Sequence, residues 1–80
     1  MPRFRFHLCE RGTLCTDEEG RELPDLAAVQ AQAMREAREL ISADAQSGQL
    51  WLRSSIEVTN EAGENVHSLA FSDAIALIDA

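Results

Sequence analysis

The chain has 80 residues, of which 45% are hydrophobic and 26% are charged, and this composition is typical of one globular domain. We therefore treat residues 1–80 as a single domain. A domain of this size buries only about 60% of the surface that its unfolded chain exposes, so it has little room for an enclosed active site. Its net charge of −7 opposes nonspecific binding to nucleic acid, because each phosphate contact needs a cation.

The apolar residues never form the run of roughly 18 that a membrane-spanning helix requires. The N-terminus alternates between polar and apolar residues, whereas a signal peptide has a continuous apolar centre. Two cysteines are too few for a disulfide framework and fit a reducing compartment. We expect a cytoplasmic protein.

The first predicted element is a strand from Arg3 to Cys9, in which polar and apolar residues alternate. Its apolar side, which we expect to face inward, carries Phe4, Phe6 and Leu8. Arg11-Gly12 is a plausible turn, and residues 13–16 form a short returning strand. This predicts an N-terminal hairpin whose register the sequence leaves open.

The longest periodic segment runs from Pro24 to Gly48 and predicts a helix. Asp25 is placed to cap its first turn, and Gly48 stands where a left-handed C-terminal residue is expected. The stripe that we expect to contact the core consists of Leu26, Val29, Ala33, Ala37, Leu40, Ile41 and Asp44.

A second hairpin is predicted after the helix, with strands over residues 54–59 and 66–71 and a turn over residues 60–63. The alternation in the last strand is imperfect, which indicates a bulge or bend near Ser68. Ser72 is placed to cap a short C-terminal helix from Asp73 to Asp79. The side chains of that helix expected on the core are Ile75, Leu77 or Ile78.

This β-β-α-β-β order with a short C-terminal helix predicts an α+β fold, a two-layer sandwich in which one long helix packs on a small antiparallel sheet. The other face of the sheet is then open to solvent. The residues expected on it are Arg3, Arg5, His7, Glu57 and Thr59. An open face and an unpaired sheet edge are common places for a small domain to bind a partner or a second copy of itself.

The one candidate metal or thiol cluster consists of His7, Cys9 and Cys15. Zinc would accept these side chains but wants a fourth ligand, and no C-x-x-C pair occurs in the sequence. The plainer interpretation is that they are unligated surface and edge residues. A disulfide between Cys9 and Cys15 is also geometrically conceivable across a hairpin.

An acidic surface is predicted where Asp17, Glu18, Glu19 and Glu22 precede the helix. Their spacing does not match a calcium loop, and exposed carboxylates are unsuited to acid catalysis at neutral pH. The sequence also has no nucleophile elbow and no phosphate-cradling glycine loop. We therefore predict no enzyme activity, no metal, no other cofactor and no small-molecule substrate.

The residues most plausible for binding a partner are Arg3, Arg5, His7 and Trp51. The first three form the one basic stripe, but the neighbouring aromatics alternate to the inward face, so stacking on nucleic-acid bases is disfavoured. A lone Trp is a frequent interface residue, although in so small a domain it more often closes the core.

Three pieces of the sequence together resemble a family of small bacterial proteins known only as a domain of unknown function. They are the F-x-F-H opening at residues 4–7, the D-E-E-G-R-E-L-P-D segment at residues 17–25, and the I-E-V-T-x-E-x-G turn at residues 56–63. The resemblance implies a compact bacterial cytoplasmic domain, with no activity or catalytic residue to transfer.

The leading hypothesis is a non-enzymatic protein-interaction or regulatory module, whose partner is another protein or a second copy of the chain. One alternative is an acidic inhibitor or decoy of a nucleic-acid-handling protein, suggested by the charge of −4 over residues 16–25. The other alternative is a minor thiol or metal-binding function at His7, Cys9 and Cys15.

Overall fold

A computed structural model describes residues 1–76 as an antiparallel sheet with one long helix on one face. The strands are β1 (Arg3–Glu10), β2 (Thr13–Cys15), β3 (Arg21–Glu22), β4 (Ser55–Thr59) and β5 (Asn65–Ala70). The helix is α1 (Leu26–Gln46), and a 3-10 turn (Phe71–Asp73) follows β5. The order across the sheet is β2-β1-β4-β5, with β3 also paired to β1. The predicted α+β class is confirmed.

The N-terminal hairpin closes through a two-residue turn, and this turn settles the register that the sequence left open. Arg11 and Gly12 have φ values of 51° and 79°. Two successive residues with positive φ are typical of a type I′ turn, whose twist matches that of the flanking strands. The opposed residues are Glu10 with Thr13, Cys9 with Leu14, and Leu8 with Cys15.

The ends of α1 are fixed by the residues that the sequence predicted. The Asp25 carboxylate accepts a hydrogen bond of 2.9 Å from the backbone N–H of Ala28. At the other end, Gly48 has φ +84°, and the backbone N–H groups of Gly48 and Gln49 donate to the carbonyls of Ala45 and Asp44. This pattern is a Schellman motif, which satisfies carbonyls that have no partner within the helix.

The contact stripe of α1 is narrower than predicted. Its buried residues recur every four positions, at Val29, Ala33, Ala37 and Ile41. Leu40 is 37% exposed and Leu26 is 47% exposed, so neither belongs to the buried stripe. The reason is that α1 packs over β4, β5 and the 3-10 turn, which leaves Leu40 at the rim beside β1.

The core lies between α1 and the inward face of the sheet. Phe71 and Val58 are fully buried there, and Ala33 and Ala37 of α1 are equally inaccessible. The other buried apolar residues are Phe4, Phe6, Val29, Ile41, Ile56, Leu69 and Ala74. The inward aromatic face predicted for β1 is therefore confirmed.

The predicted element order is wrong in one detail, because the two-residue strand β3 precedes α1. Such a strand carries no alternation that a sequence pattern could reveal. The bulge expected near Ser68 exists but falls opposite the step from Val58 to Thr59, where β5 carries Val66.

The C-terminal turn also differs from the prediction. It is a 3-10 turn that begins at Phe71, with Ala70 in the N-cap position and no capping bond from Ser72. Ile75 packs against the core as expected. Leu77, Ile78 and Asp79 lie outside the described residues, so the end of the predicted helix does too.

Within residues 1–76, α1 is the one long helix, and it is too polar to cross a membrane.

Because α1 lies close to the sheet, a larger side chain should lower stability at a buried position of the helix and not at an exposed one. Replacing Ala37 with Leu forces bulk into a fully buried site and should lower the free energy of unfolding by about 1–3 kcal/mol. Ala31→Leu is the matched control, since Ala31 is exposed on the same helix and both substitutions have similar helix propensity. Urea denaturation of the two variants measures the difference, and equal losses would contradict the packing described here.

Candidate functional site

The outward face of the sheet is the candidate site, because it brings the predicted basic stripe beside polar residues of β4. In the β1–β4 pairing, Arg5 lies opposite Thr59 and His7 lies opposite Glu57. Phe4 and Phe6 are buried whereas Arg5 is exposed. The face assignment made from the alternation is therefore confirmed for Arg3, Arg5, His7, Glu57 and Thr59.

The far side of this face is a chain of hydrogen bonds between β4 and β5. The Glu57 carboxylate accepts from the Ser68 hydroxyl at 2.7 Å and from the Asn65 side chain at 3.4 Å. These contacts hold the carboxylate in one place and align the two strands. The same hydrogen bonds occupy the Glu57 carboxylate oxygen, which would otherwise be free to accept from a ligand on this face.

His7 lies at the centre of the face, and both of its ring nitrogens make hydrogen bonds. Nδ1 is 3.1 Å from the backbone nitrogen of Asp17, and Nε2 is 3.0 Å from Thr59 Oγ1. A backbone N–H can only donate, so Nδ1 accepts, the proton of the neutral ring sits on Nε2, and Nε2 donates to Thr59. His7 thereby ties the loop after β2 to β4.

Asp17 organises the loop between β2 and β3. Its Oδ2 accepts from the backbone N–H of Phe6 at 3.0 Å, and its Oδ1 accepts from those of Glu19 and Gly20 at 3.2 and 3.1 Å. Since β2 pairs with residues 8–10 of β1 and β3 with residues 3–4, the carboxylate fills the gap between the two short strands.

These hydrogen bonds also set the charge state of Asp17. Burial by itself raises the pKa of the carboxyl, but three backbone N–H groups and the nearby Arg21 stabilise the charged form. The balance places the pKa of Asp17 below its ordinary value.

The four residues of the predicted acidic surface differ in the contacts that they make. Asp17 is bound inside its loop, and Glu22 accepts from the Arg3 guanidinium at 3.4 Å. Arg3 also donates to the backbone carbonyl of Glu19 at 2.8 Å. The side chains of Glu18 and Glu19 remain exposed. Only part of the acidic segment therefore presents free carboxylates.

The residues of the candidate thiol or metal cluster do not converge. Cys15 lies opposite Leu8, on the inward side of the hairpin, whereas Cys9 lies opposite Leu14 and shares the outward face with His7. Directly opposed residues point to the same face of a sheet. Cys9 and Cys15 therefore point to opposite faces, and both are free thiols. His7, Cys9 and Cys15 do not form a common metal or thiol site.

Trp51 lies beyond the end of the basic stripe and has a partner that the sequence did not reveal. The Arg11 guanidinium lies over the indole ring, 4.0 Å from its centroid. Arg11 comes four residues after His7 and eight after Arg3, which corresponds to roughly 13 Å and 26 Å at 3.3 Å per residue. The indole therefore continues the line of the stripe past its end and stacks on an arginine outside it.

Gly20 is a structural requirement that sequence reasoning missed. It has φ +72°, and a Cβ at this position would lie 2.8 Å from the carbonyl oxygen of Phe4 and 3.0 Å from Cγ of Arg3. The glycine lets the loop approach β1 closely enough for Asp17 to reach it. In the sequence, this contact is marked only by a glycine three residues after Asp17. Such a glycine does not by itself predict that the loop approaches β1.

The fold and the face define a small α+β domain in which one helix covers one side of an antiparallel sheet and a polar network covers the other. A family model, Domain of unknown function (DUF6894), matches residues 3–72. The chain belongs to this family, as the resemblance of its opening, acidic segment and second hairpin indicated. Searches of curated proteins and of solved structures found no match.

Gly20 should tolerate a methyl group much less well than the other glycines with positive φ. Gly20→Ala adds a clash with β1 to the cost of the left-handed conformation and should lower the free energy of unfolding by more than about 2 kcal/mol. Gly63→Ala is the control, because its φ is +83° but nothing lies within 4 Å of the added carbon. Chemical denaturation compares them, and equal losses would refute the close approach.

Asp17 should give the domain an acid-sensitive component of stability. In Asp17→Asn the amide nitrogen cannot accept from Phe6, so the free energy of unfolding should fall by about 1–3 kcal/mol at neutral pH. A lowered folded-state pKa contributes stability above the unfolded value of about 3.9, and this is lost as pH falls through the folded value.

The difference between wild type and Asp17→Asn should therefore be constant above about pH 5 and shrink below about pH 4. The contact with His7 comes from the backbone N–H of residue 17, so it is common to both proteins and cancels. Denaturation curves at a series of pH values test this. A gap that widens on acidification would show that the sign is wrong.

Proposed function

We propose that this domain is a non-enzymatic protein-interaction module that self-associates through the free edge of β5. The observation that carries the proposal is the contrast between the two edges of the sheet. β5 is six residues long, contains neither a charged residue nor proline, and pairs only with β4 among the described strands. Exposed edges of this kind are templates for pairing with another chain.

The opposite edge has the features that prevent such pairing. It is divided between β2, with three residues, and β3, with two, and the Asp17 loop separates them. Charged side chains flank or occupy it, namely Arg11, Asp17, Glu18, Glu19, Arg21 and Glu22. Short strands and charges are common means of protecting an edge. β5 is therefore the better candidate for pairing.

The polar network of the outward face supports an interaction role over a catalytic one. Both ring nitrogens of His7 are used in hydrogen bonds that join the loop to β4, and the Glu57 carboxylate is held by Ser68 and Asn65. Side chains committed in this way stabilise the sheet. They leave β5 as a firmly aligned edge on which a second copy can add its own β5.

The charge of the chain fixes how self-association should respond to salt. Each copy carries −7, so two copies repel each other, and added salt screens that repulsion. Edge pairing itself is made of backbone hydrogen bonds and apolar contacts, which salt does not weaken. Raising the NaCl concentration from about 20 mM to about 500 mM should therefore tighten the dimer.

A lysine on β5 should disrupt the dimer. Ser68→Lys places a like charge on both copies at the paired edge and should raise the dimer dissociation constant at least about tenfold. Two controls accompany it: Thr13→Lys adds the charge on the other edge, and Ser68→Ala removes the Ser68–Glu57 hydrogen bond without adding a charge. Each control should change the constant less than about twofold, and sedimentation velocity from about 10 µM to about 1 mM measures all three.

Circular dichroism should first establish that all three variants fold. A wild-type chain that remains monomeric up to about 1 mM would overturn the proposal. So would a dimer that Thr13→Lys weakens as much as Ser68→Lys does, because the contact would then involve the other edge.

A further inference from the structure

The structure assigns a second binding site, for a small organic carboxylate with a flat apolar body, to a concavity beside Trp51. It lies in the connection between α1 and β4 and has a volume of about 350 Å³, within the range of small-molecule sites. Its lining consists of Arg11, Leu50, Trp51, Leu52, Arg53 and Ser54. Nothing in the proposed pairing of β5 requires this site.

Two arginines line this concavity although the chain as a whole is acidic. Neither Arg11 nor Arg53 donates a hydrogen bond to another side chain or carbonyl within residues 1–76. Arg11 forms an ion pair with Glu10, but at 3.7 Å the two groups are beyond hydrogen-bond distance. By contrast, Arg3 donates to the Glu19 carbonyl and the Glu22 carboxylate. Arg38 donates to the Ala74 carbonyl. The donors of Arg11 and Arg53 remain available to a carboxylate.

Arg11 has a backbone conformation that is unusual for an arginine. Its φ of 51° places it in the left-handed region, where the first central position of a type I′ turn favours Asn, Asp or Gly. An arginine accepts a conformational cost there that those residues avoid. The turn itself does not need its guanidinium, whereas the stack on Trp51 fixes that guanidinium at the mouth of the concavity.

Ser54 closes the concavity without contributing a ligand contact. It is 2% exposed, and its hydroxyl oxygen is buried without a hydrogen-bond partner in the described structure. Its backbone groups are used as well, because its N–H donates to Trp51 and its carbonyl accepts from Phe71. The polar contacts that the concavity offers to a ligand therefore come from Arg11 and Arg53.

The two arginines and the apolar walls together define the ligand class. A planar guanidinium fork fits a carboxylate through two parallel hydrogen bonds. The indole of Trp51 and the side chains of Leu50 and Leu52 offer apolar surface for an aromatic or alicyclic body. Leu50 is 45% exposed, so this surface is accessible from solvent. A neutral molecule of the same shape would leave the arginines without a partner.

The test uses the indole N–H of Trp51, which gives a single NMR signal because the chain has one Trp. Benzoate should shift this signal saturably, with a dissociation constant on the order of 1 mM. Benzamide, which has the same ring without the charge, and acetate, which has the charge without the ring, should each bind at least about fivefold more weakly.

Two variants locate the site, and a third is the control. Arg11→Gln and Arg53→Gln should each weaken benzoate binding at least about fivefold, and Arg35→Gln, on the exposed surface of α1, should leave it unchanged.

Benzamide binding as tightly as benzoate would overturn the assignment, as would benzoate binding that survives both arginine substitutions. Phenyl phosphate binding more than about tenfold tighter than benzoate would overturn the carboxylate assignment.

Discussion

The close packing of α1 against β4, β5 and Phe71 is the contact on which the rest of the structure depends. A helix of 21 residues is about 31 Å long, and among the elements within residues 1–76 it is the long one that covers the inward face. Ala33 and Ala37 lie at the centre of its contact stripe, and their small side chains let the helix come close to the sheet. This position buries Phe71 and leaves Leu40 at the rim near β1.

At the sheet edge formed by β2 and β3, the Asp17 carboxylate takes the place of a continuous strand beside β1. β2 and β3 are too short to pair with the whole of β1, so Asp17 accepts from Phe6 in the gap, and Gly20 gives the loop room to approach. His7 joins the same loop to Thr59. The outward face is therefore a structural network, and the two surfaces proposed for binding are the edge of β5 and the concavity beside Trp51.

Those two surfaces have opposite characters, which suits different roles. β5 offers the backbone groups of a strand without charged residues, and its proposed partner is another strand. The concavity at Trp51 offers the guanidinium donors of Arg11 and Arg53, and its proposed partner is a small carboxylate. Both proposals rest on the residues of this chain.

The sequence by itself determined the α+β class, the inward face of β1 and both caps of α1. Each of these follows from local rules: alternation for Phe4 and Phe6, a side-chain acceptor at Asp25, and a positive φ at Gly48. Only the tertiary structure decided that Leu40 lies outside the buried stripe, that Cys9 and Cys15 face apart, that Asp17 binds β1 and that Arg11 lies over Trp51. These features depend on register and on contacts between residues distant in the chain, and no local pattern encodes such distances.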